Sequence, residues 1–479
     1  MAEAQAVPAP VDPVERTRRW LAPPVALLAS VLAATCMLNV VAVARWTTAL
    51  TELDAHFVGW VGVGALGAVA TAAVALASGD RVGSGPFLSL GAVAAVFGLS
   101  LGHHVSGSAE LTAVILVCGL SVGALLAGAV AVVSTLPAAW AALTLTAWAG
   151  PLVVVWPLLA TALAGRAAGS VSGLLAHPQT SLLAVVAVLI VSWSLLTMLV
   201  EPVPVPDPTW ASWQASWWAL LLLASGAALV TAVLGFSPQL SLVWLRPIVV
   251  TATAAVVAGW MLTAKLVPES SARLSYIAVS AVSWVVPATA MFAVSVAGAD
   301  KGVAGTITVL FLVAAVCGVA IGYRGSTAVI PVGFALMVVA GCGIWVMPTG
   351  QWVMLASVGP LVVVGTAVLV SAVRIVGYGG PASRLVGLAI VGSLVLGQVV
   401  AIPLDWAMLG DVPSSGREMI ASGRLDAGLT VAVASLAASW TWVVRRRLQR
   451  AAMRVPRWPG VAAPQVVGTD GPVVGTDLP

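Results

Sequence analysis

Gly79-Asp80-Arg81-Val82-Gly83 separates two long apolar runs, at about 56–79 and 85–102. Asp80 and Arg81 are adjacent opposite charges in a chain of 479 residues of which only 8% are charged. Val82-Gly83 then leads within three residues into Pro86-Phe87-Leu88. The two glycines permit a sharp reversal. The shortness of the connection predicts that two membrane helices meet here in a tight hairpin.

Composition supports that reading along the whole chain. Hydrophobic residues make up 60% of it and the mean hydropathy is +1.07, against about 45–50% apolar in an average soluble domain. The apolar runs are unalternating and long enough for helices, whereas strands of a membrane barrel alternate over roughly 10 residues. Beginning with the runs at about 22–45, 56–79, 85–102, 110–135, 138–165, 181–200 and 214–236, they continue at about 241–266, 274–298, 302–322, 327–347, 352–373, 385–404 and 427–444. The expected fold is therefore an all-α polytopic membrane protein with about 14 transmembrane helices. The run at 110–135 is long enough to tilt. Leu32-Ala33-Ala34-Thr35-Cys36 loosely resembles a lipoprotein cleavage site. Thr35 is a poor residue there and the apolar run continues, so the first run reads as a retained helix. Residues 451–479 are polar, with a repeated Val-Val-Gly-Thr-Asp, and read as a disordered tail.

The net charge is +4 and the isoelectric point about 9.2. The basic residues sit at helix ends and not on one surface, which argues against nucleic-acid binding. With a cytoplasmic N-terminus, Arg16, Arg18, Arg19, Arg81, Lys265, Arg273, Arg324, Arg374, Arg384 and the six arginines from Arg445 to Arg457 fall on the cytoplasmic side. That is 15 of the 21 Lys and Arg residues. An even number of spans then places both termini inside, and the plasma (cytoplasmic) membrane is the expected location. Cys36, Cys118, Cys317 and Cys342 all lie inside apolar runs without a CxxC pair. They read as small buried hydrophobes, with no metal and no cofactor expected.

Tryptophan occurs 20 times. Trp20, Trp46, Trp210, Trp217, Trp244, Trp345, Trp352, Trp406 and Trp442 fall near span ends, where indoles anchor at the membrane interface. Trp148, Trp156, Trp193, Trp260 and Trp284 fall nearer mid-span, where they either line a cavity or pack in the core. Arg45 and Arg246 read as interface residues. His103 and His104 lack a carboxylate partner for a metal. Residues 405–426, with Asp405, Asp411, Arg417, Glu418, Arg424 and Asp426, read as the one sizeable outer loop, either a lid or a solvated connection.

This layout resembles the major facilitator superfamily, in its fourteen-helix drug–proton antiporter branch, over about residues 22–450. The family carries Gly-x-Leu-x-Asp-Arg-x-Gly-basic-basic between helices 2 and 3. Asp80, Arg81 and Gly83 fall in place, Leu88 matches the later apolar position, and Leu76, Ser84 and Gly85 depart from the pattern. The resemblance implies a gating loop in which Asp80 pairs across to the other bundle and latches one state. A weaker copy, Gly318, Gly322 and Gly325 with Arg324, lies between spans 10 and 11. The family's helix-5 kink is matched by Gly150-Pro151, without the paired glycines that follow it. In helix 4, Ile115 stands where the family places an Arg four residues before Gly119. In helix 1 the family's Asp falls near Ala34, before Asn39. The implied organisation is a tail (1–21), a six-helix bundle (22–200), a linker with two inserted helices (201–270), a second six-helix bundle (271–450) and a tail (451–479). Pro202 to Pro208 marks the joint.

What the resemblance implies is secondary-active export of a small hydrophobic or amphipathic solute by alternating access, with no enzymatic activity. The substrate cavity would include Asn39, Trp148, Trp156 and Trp284. Nearly uncharged walls favour an apolar cargo over a phosphorylated one, which needs Arg or Lys clamps. Spans 1 to 5 carry no ionisable residue at mid-depth, although proton coupling relies on such a group. That absence keeps a second reading open: a non-transporting membrane protein on a transporter-like scaffold, acting as a protein partner. A membrane enzyme has no acidic or histidine cluster to rest on outside 405–426, and there is no GxxxxGK[ST] for ATP-driven transport.

Overall fold

The computed structural model describes residues 20–26, 28–29, 32–33, 36, 54–82, 85–101, 107–133, 178–200, 211–237, 242–297, 301–346, 351–376, 381–409 and 416–454. All regular structure among them is helical. After helical residues within 20–36, the elements are α1 (Asp54–Val82), α2 (Gly85–Leu101), α3 (Ser108–Val133), α4 (Pro178–Val200), α5 (Ala211–Gly235) and α6 (Leu242–Leu266). They continue as α7 (Ser270–Ala297), α8 (Lys301–Arg324), α9 (Val329–Val346), α10 (Gln351–Val376), α11 (Pro381–Leu409) and α12 (Gly416–Arg454). Seven helices among the described residues are long and apolar enough to cross a membrane. At about 1.5 Å per residue, the 26 residues of α3 reach ~39 Å, which exceeds a ~30 Å hydrocarbon core unless the helix tilts.

The neighbour pattern repeats. In the first half α3 packs on both α1 and α2, and α4 packs on α2. In the second half α10 packs on both α8 and α9, and α12 packs on α9. Helix α7 completes the second group against α10, α11 and α12. The same order of partners twice in one chain is the signature of a parallel internal repeat.

Three sequence expectations are corrected here. The hairpin around Asp80 is not a self-packed pair. Helix α1 runs through Asp80 and Arg81 to Val82 and α2 restarts at Gly85, yet the two helices scarcely touch. Both are drawn onto α3, where Gly67 of α1 faces the Leu116 carbonyl and Gly91 and Gly98 of α2 face Leu125 and Cys118. The outer loop at 405–426 is mostly helix, because α11 extends to Leu409 and α12 begins at Gly416. Arg, Glu, Met, Ile, Ala and Leu over 417–425 are helix formers that a hydropathy window passes over. Finally, Cys36 and Cys118 are buried but Cys317 and Cys342 are exposed. In a membrane, apolar residues on the lipid side are as well placed as those in the core, so an apolar run does not reveal which cysteines face inward.

Candidate functional site

The charged end of α1 has a fully described counterpart at the end of α8. Gly318 and Gly322 let α8 lie directly on α10, where a Cβ at either would press on the carbonyls of Val363 and Ala367. Helix α8 then ends, leaving carbonyls without intrahelical donors. Arg374 of α10 supplies them. Its guanidinium donates to the carbonyl oxygens of Gly322, Tyr323 and Gly325, and stacks 5.1 Å above the Tyr323 ring. Ser371 adds a hydroxyl donor to Gly322 at 3.2 Å. The cation at a helix C-terminus also matches the negative end of the dipole. Thus the glycines singled out in the sequence do position this helix end, but the cation that holds it is Arg374, in the last turn of a later helix. Arg445 of α12 closes the same turn by donating to Thr327 Oγ1 at 3.3 Å.

In the first half the equivalent contact, α1 on α3, inverts the roles. The glycines are on α3: Gly119 meets the backbone of Gly64 and Gly123 that of Ala68. Ser121 of α3 donates to the Gly91 carbonyl of α2 at 2.9 Å, and Cys36 Sγ lies 3.8 Å from the same hydroxyl. Asp80 and Arg81 occupy the last turn of α1. Their side chains, Gly83, Asn39, Trp148, Gly150, Pro151 and Trp156 lie outside the described residues.

The seam between the two halves is spanned by α5. One face of α5 is laid against α1 through Gly59, Gly62, Ala232 and Gly235, with Phe236 edge-on to Trp60 at 6.4 Å. Another face meets α11, where Leu220 covers Gly392. Helix α11 also reaches α1 and α3 directly. One hydrogen bond across this seam follows from the sequence chemistry of α11. Pro403 has no N–H, so the carbonyl four residues earlier, that of Val399, loses its helical donor. Thr231 of α5 fills the vacancy, its hydroxyl donating to Val399 O at 3.0 Å. Thr231→Val should lower stability in detergent by about 0.6–1.7 kcal/mol, the range for interhelical bonds in membranes. In a Pro403→Ala background residue 403 regains its N–H, and the same change should cost close to nothing. A thermal-unfolding double-mutant cycle reads the difference.

Helix α6 stands outside α5. Only 28% of Trp244–Leu266 is buried. Arg246 donates through Nε to the Ala407 carbonyl of α11 at 2.9 Å, in the last turn of that helix. Between α5, α6 and α11 lies a cleft of about 300 Å³, bounded among others by Gly226, Thr231, Val249, Thr253, Val400 and Pro403. Among the described residues, no ionisable side chain lines it.

Of the four cavity residues read from the sequence, Trp284 alone is described. It is on α7, 1% exposed, with its ring 6.1 Å from Trp260 of α6 in an edge-on arrangement and its backbone against Gly397 of α11. It is not among the residues lining the cleft. Trp193 and Trp260 are likewise buried, and Trp217, read as an interface anchor, is 4% exposed. Trp20, Trp244, Trp345 and Trp442 are exposed, as interface residues should be. Among the described residues, no three His, Cys, Asp or Glu side chains gather as a metal site. The sequence reading missed Thr231 and Arg374. Pro403 inside an apolar run was the available signal for the first, since it announces an orphan carbonyl that some hydroxyl must find.

No family model and no curated protein matches the sequence. Solved structures do match its fold. The chain is similar to a major facilitator superfamily proton:xylose symporter, XylE, with a TM-score of 0.53 and 13% identity, over 89% of this chain and 96% of that one. It is similar to a proton-dependent oligopeptide transporter with a TM-score of 0.51 and 14% identity, over 91% and 99%. The human organic anion transporter MFSD10 matches with a TM-score of 0.50 and 15% identity, over 90% and 100%. At these identities the likeness establishes the architecture: an all-helical, multi-pass membrane protein of the major facilitator fold.

Proposed function

We propose that the chain is a secondary-active transporter that moves a small hydrophobic or amphipathic solute by alternating access. The observation that carries the proposal is the repeated helix order, α1–α4 echoed by α8, α9, α10 and α12, with one helix pair between the halves. Proteins whose solved structures share this fold over about nine-tenths of the chain are named as transporters of sugars, peptides and organic anions. The pair α5–α6 fits the inserted helices of the fourteen-helix drug–proton antiporter branch, with two six-helix bundles at 22–200 and 271–450. Export across the plasma membrane, with both termini cytoplasmic, follows from that placement and from the arginine distribution. Asp80 and Arg81 in the last turn of α1, together with Gly83, serve as the gate, and the Gly150-Pro151 kink and Asn39, Trp148, Trp156 and Trp284 belong to the moving core.

The test is flux in proteoliposomes carrying a pH gradient and a panel of lipophilic cations. A substrate-linked pH change is the expected outcome, and the absence of both flux and pH change for every compound would overturn the proposal. Asp80→Asn should slow flux about tenfold at unchanged membrane abundance, since losing ~1.4 kcal/mol from a latch shifts a two-state balance by that factor. Flux equal to wild type would remove Asp80 from the gate.

A second reading has one specific observation in its favour. Helix α5 is packed backbone-close on α1 and hydrogen-bonded to α11, so it restrains the two halves from separating along this side. A scaffold that holds a protein partner in the membrane needs no such separation. Stoichiometric copurification of one membrane protein, combined with no flux, would support this reading.

A further inference from the structure

We propose that the cleft between α5, α6 and α11 is a phospholipid site, holding one acyl chain of a bilayer lipid in its trunk and the lipid phosphate against Arg246 at its rim. The inference is independent of transport activity. It begins with Gly226. This glycine is in the middle of α5, where glycine weakens a helix relative to alanine. The packing glycines of α1, α3 and α8 repay that cost by close backbone approach. Gly226 does not, because a Cβ there would meet nothing within 4 Å. It leaves open the wall of a cleft that already exists.

The shape and chemistry of the cleft define the guest. Its walls are Leu, Val, Ala, Gly, Pro and two threonines, and the Thr231 hydroxyl is already spent on Val399 O. A volume of about 300 Å³ is at the lower end of ligand pockets, ~300–1,000 Å³. It is about twice the ~150 Å³ of an engineered apolar cavity that admits benzene. The outer wall is α6, most of whose span faces away from protein, so the cleft opens toward lipid and not toward water. Chain-like apolar matter is what the bilayer offers there.

The rim supplies the polar end. Arg246, Val249, Thr253 and Val256 follow one another at helical spacing on α6, and the last three line the cleft. On α11, Val399, Pro403 and Ala407 are four residues apart in turn, and Arg246 Nε is bonded to Ala407 O. The guanidinium thus stands about one helical turn, ~5.4 Å, beyond the trunk on both walls. It is exposed, and an arginine there presents further N–H groups in the fork that suits phosphate. Exposed Trp244 lies one half-turn from Arg246, at the depth where indoles mark the headgroup region. An apolar trunk under a cation at headgroup depth fits a phospholipid and not a free apolar solute.

The full-length protein is delipidated in detergent, returned to nanodiscs of phosphatidylglycerol and phosphatidylcholine, and released for native mass spectrometry. The wild type should retain one phospholipid per chain. Gly226→Phe fills the trunk and should abolish retention, while Gly343→Phe, also placed where a Cβ has open space, should keep it. Arg246→Gln should bind phosphatidylglycerol roughly fivefold more weakly, and lose the preference over a diacylglycerol of the same chains. Retention of the lipid by Gly226→Phe with an unchanged melting temperature would overturn the chain site. An Arg246→Gln protein that still prefers phospholipid to diacylglycerol would overturn the headgroup assignment.

Discussion

Gly119→Ala and Gly123→Ala, the smallest changes possible at these positions, should each remove the protein from the folded pool. The first atom added at residue 119 collides with the Gly64 carbonyl, and the first at residue 123 with that of Ala68. Both obstacles are helix backbone, which cannot swing aside as a side chain can. Either α1 and α3 separate along their length, or α3 rotates and loses the Ser121 bond to Gly91. Interfaces between membrane helices rely on van der Waals contact at small residues, since lipid offers no hydrophobic penalty to drive association. Lost contact is therefore not compensated by burial elsewhere. The expected cost is on the order of 3–5 kcal/mol, at the upper end for single substitutions. It should appear as loss of a monodisperse peak in gel filtration and a collapse of membrane abundance. Gly343→Ala, where a Cβ meets nothing, should instead be neutral or slightly stabilising. Normal yield of Gly119→Ala would mean that α1 and α3 are further apart than described.

The contrast between these glycines shows where sequence reading stops. An apolar run announces a span, and the run at 241–266 anticipated α6 at Leu242–Leu266 to within a residue. The runs are apolar on every side, so they carry no stripe that tells which face meets which neighbour. That is why α1 and α2, separated in sequence by only two residues, looked like a hairpin but each bind α3. The same limit hid α12, whose 39 residues begin in a polar segment that only helix propensity, not hydropathy, marks as helical. Site residues divide in the same way. The glycine-rich end of α8 was legible because close helix contact and turns need particular residues. Arg374, Thr231 and the cleft were not, because each depends on a contact between helices distant in the chain.

The inserted pair is more than a connection between the halves. Helix α5 shares backbone-close contact with α1 and a hydroxyl–carbonyl bond with α11, and α6 adds Arg246 on the end of α11. Any rocking of one half against the other must slide α5 over α1 or break its bond to Val399. Glycine and alanine surfaces slide more easily than a directed hydrogen bond breaks. Motion is therefore expected at the α1–α5 contact, with α5, α6 and α11 travelling together.

That rigid group is anchored to α7 through Trp260 and Trp284, and Trp284→Ala is the second change of large expected effect. Both indoles are essentially fully buried and meet edge to face at 6.1 Å. Helices α6 and α7 otherwise touch little. They are joined near the connecting turn by the 2.7 Å bond between Thr263 and Tyr276, and by Arg273, which donates to the Val267 carbonyl at 2.7 Å. Removing either indole opens a cavity that two helices bridged at their ends cannot collapse, at a cost of about 3–5 kcal/mol. An edge-on pair contributes a further ~0.5–1.5 kcal/mol that each single change already forfeits. Trp260→Ala with Trp284→Ala should therefore cost less than the sum of the two, as contacting residues do. If Trp284 lines the solute cavity, flux in Trp284→Phe should fall more than its stability does, while Trp260→Phe should change both in proportion. Equal flux in the two phenylalanine variants at equal stability would make Trp284 a packing residue and remove it from the transport path.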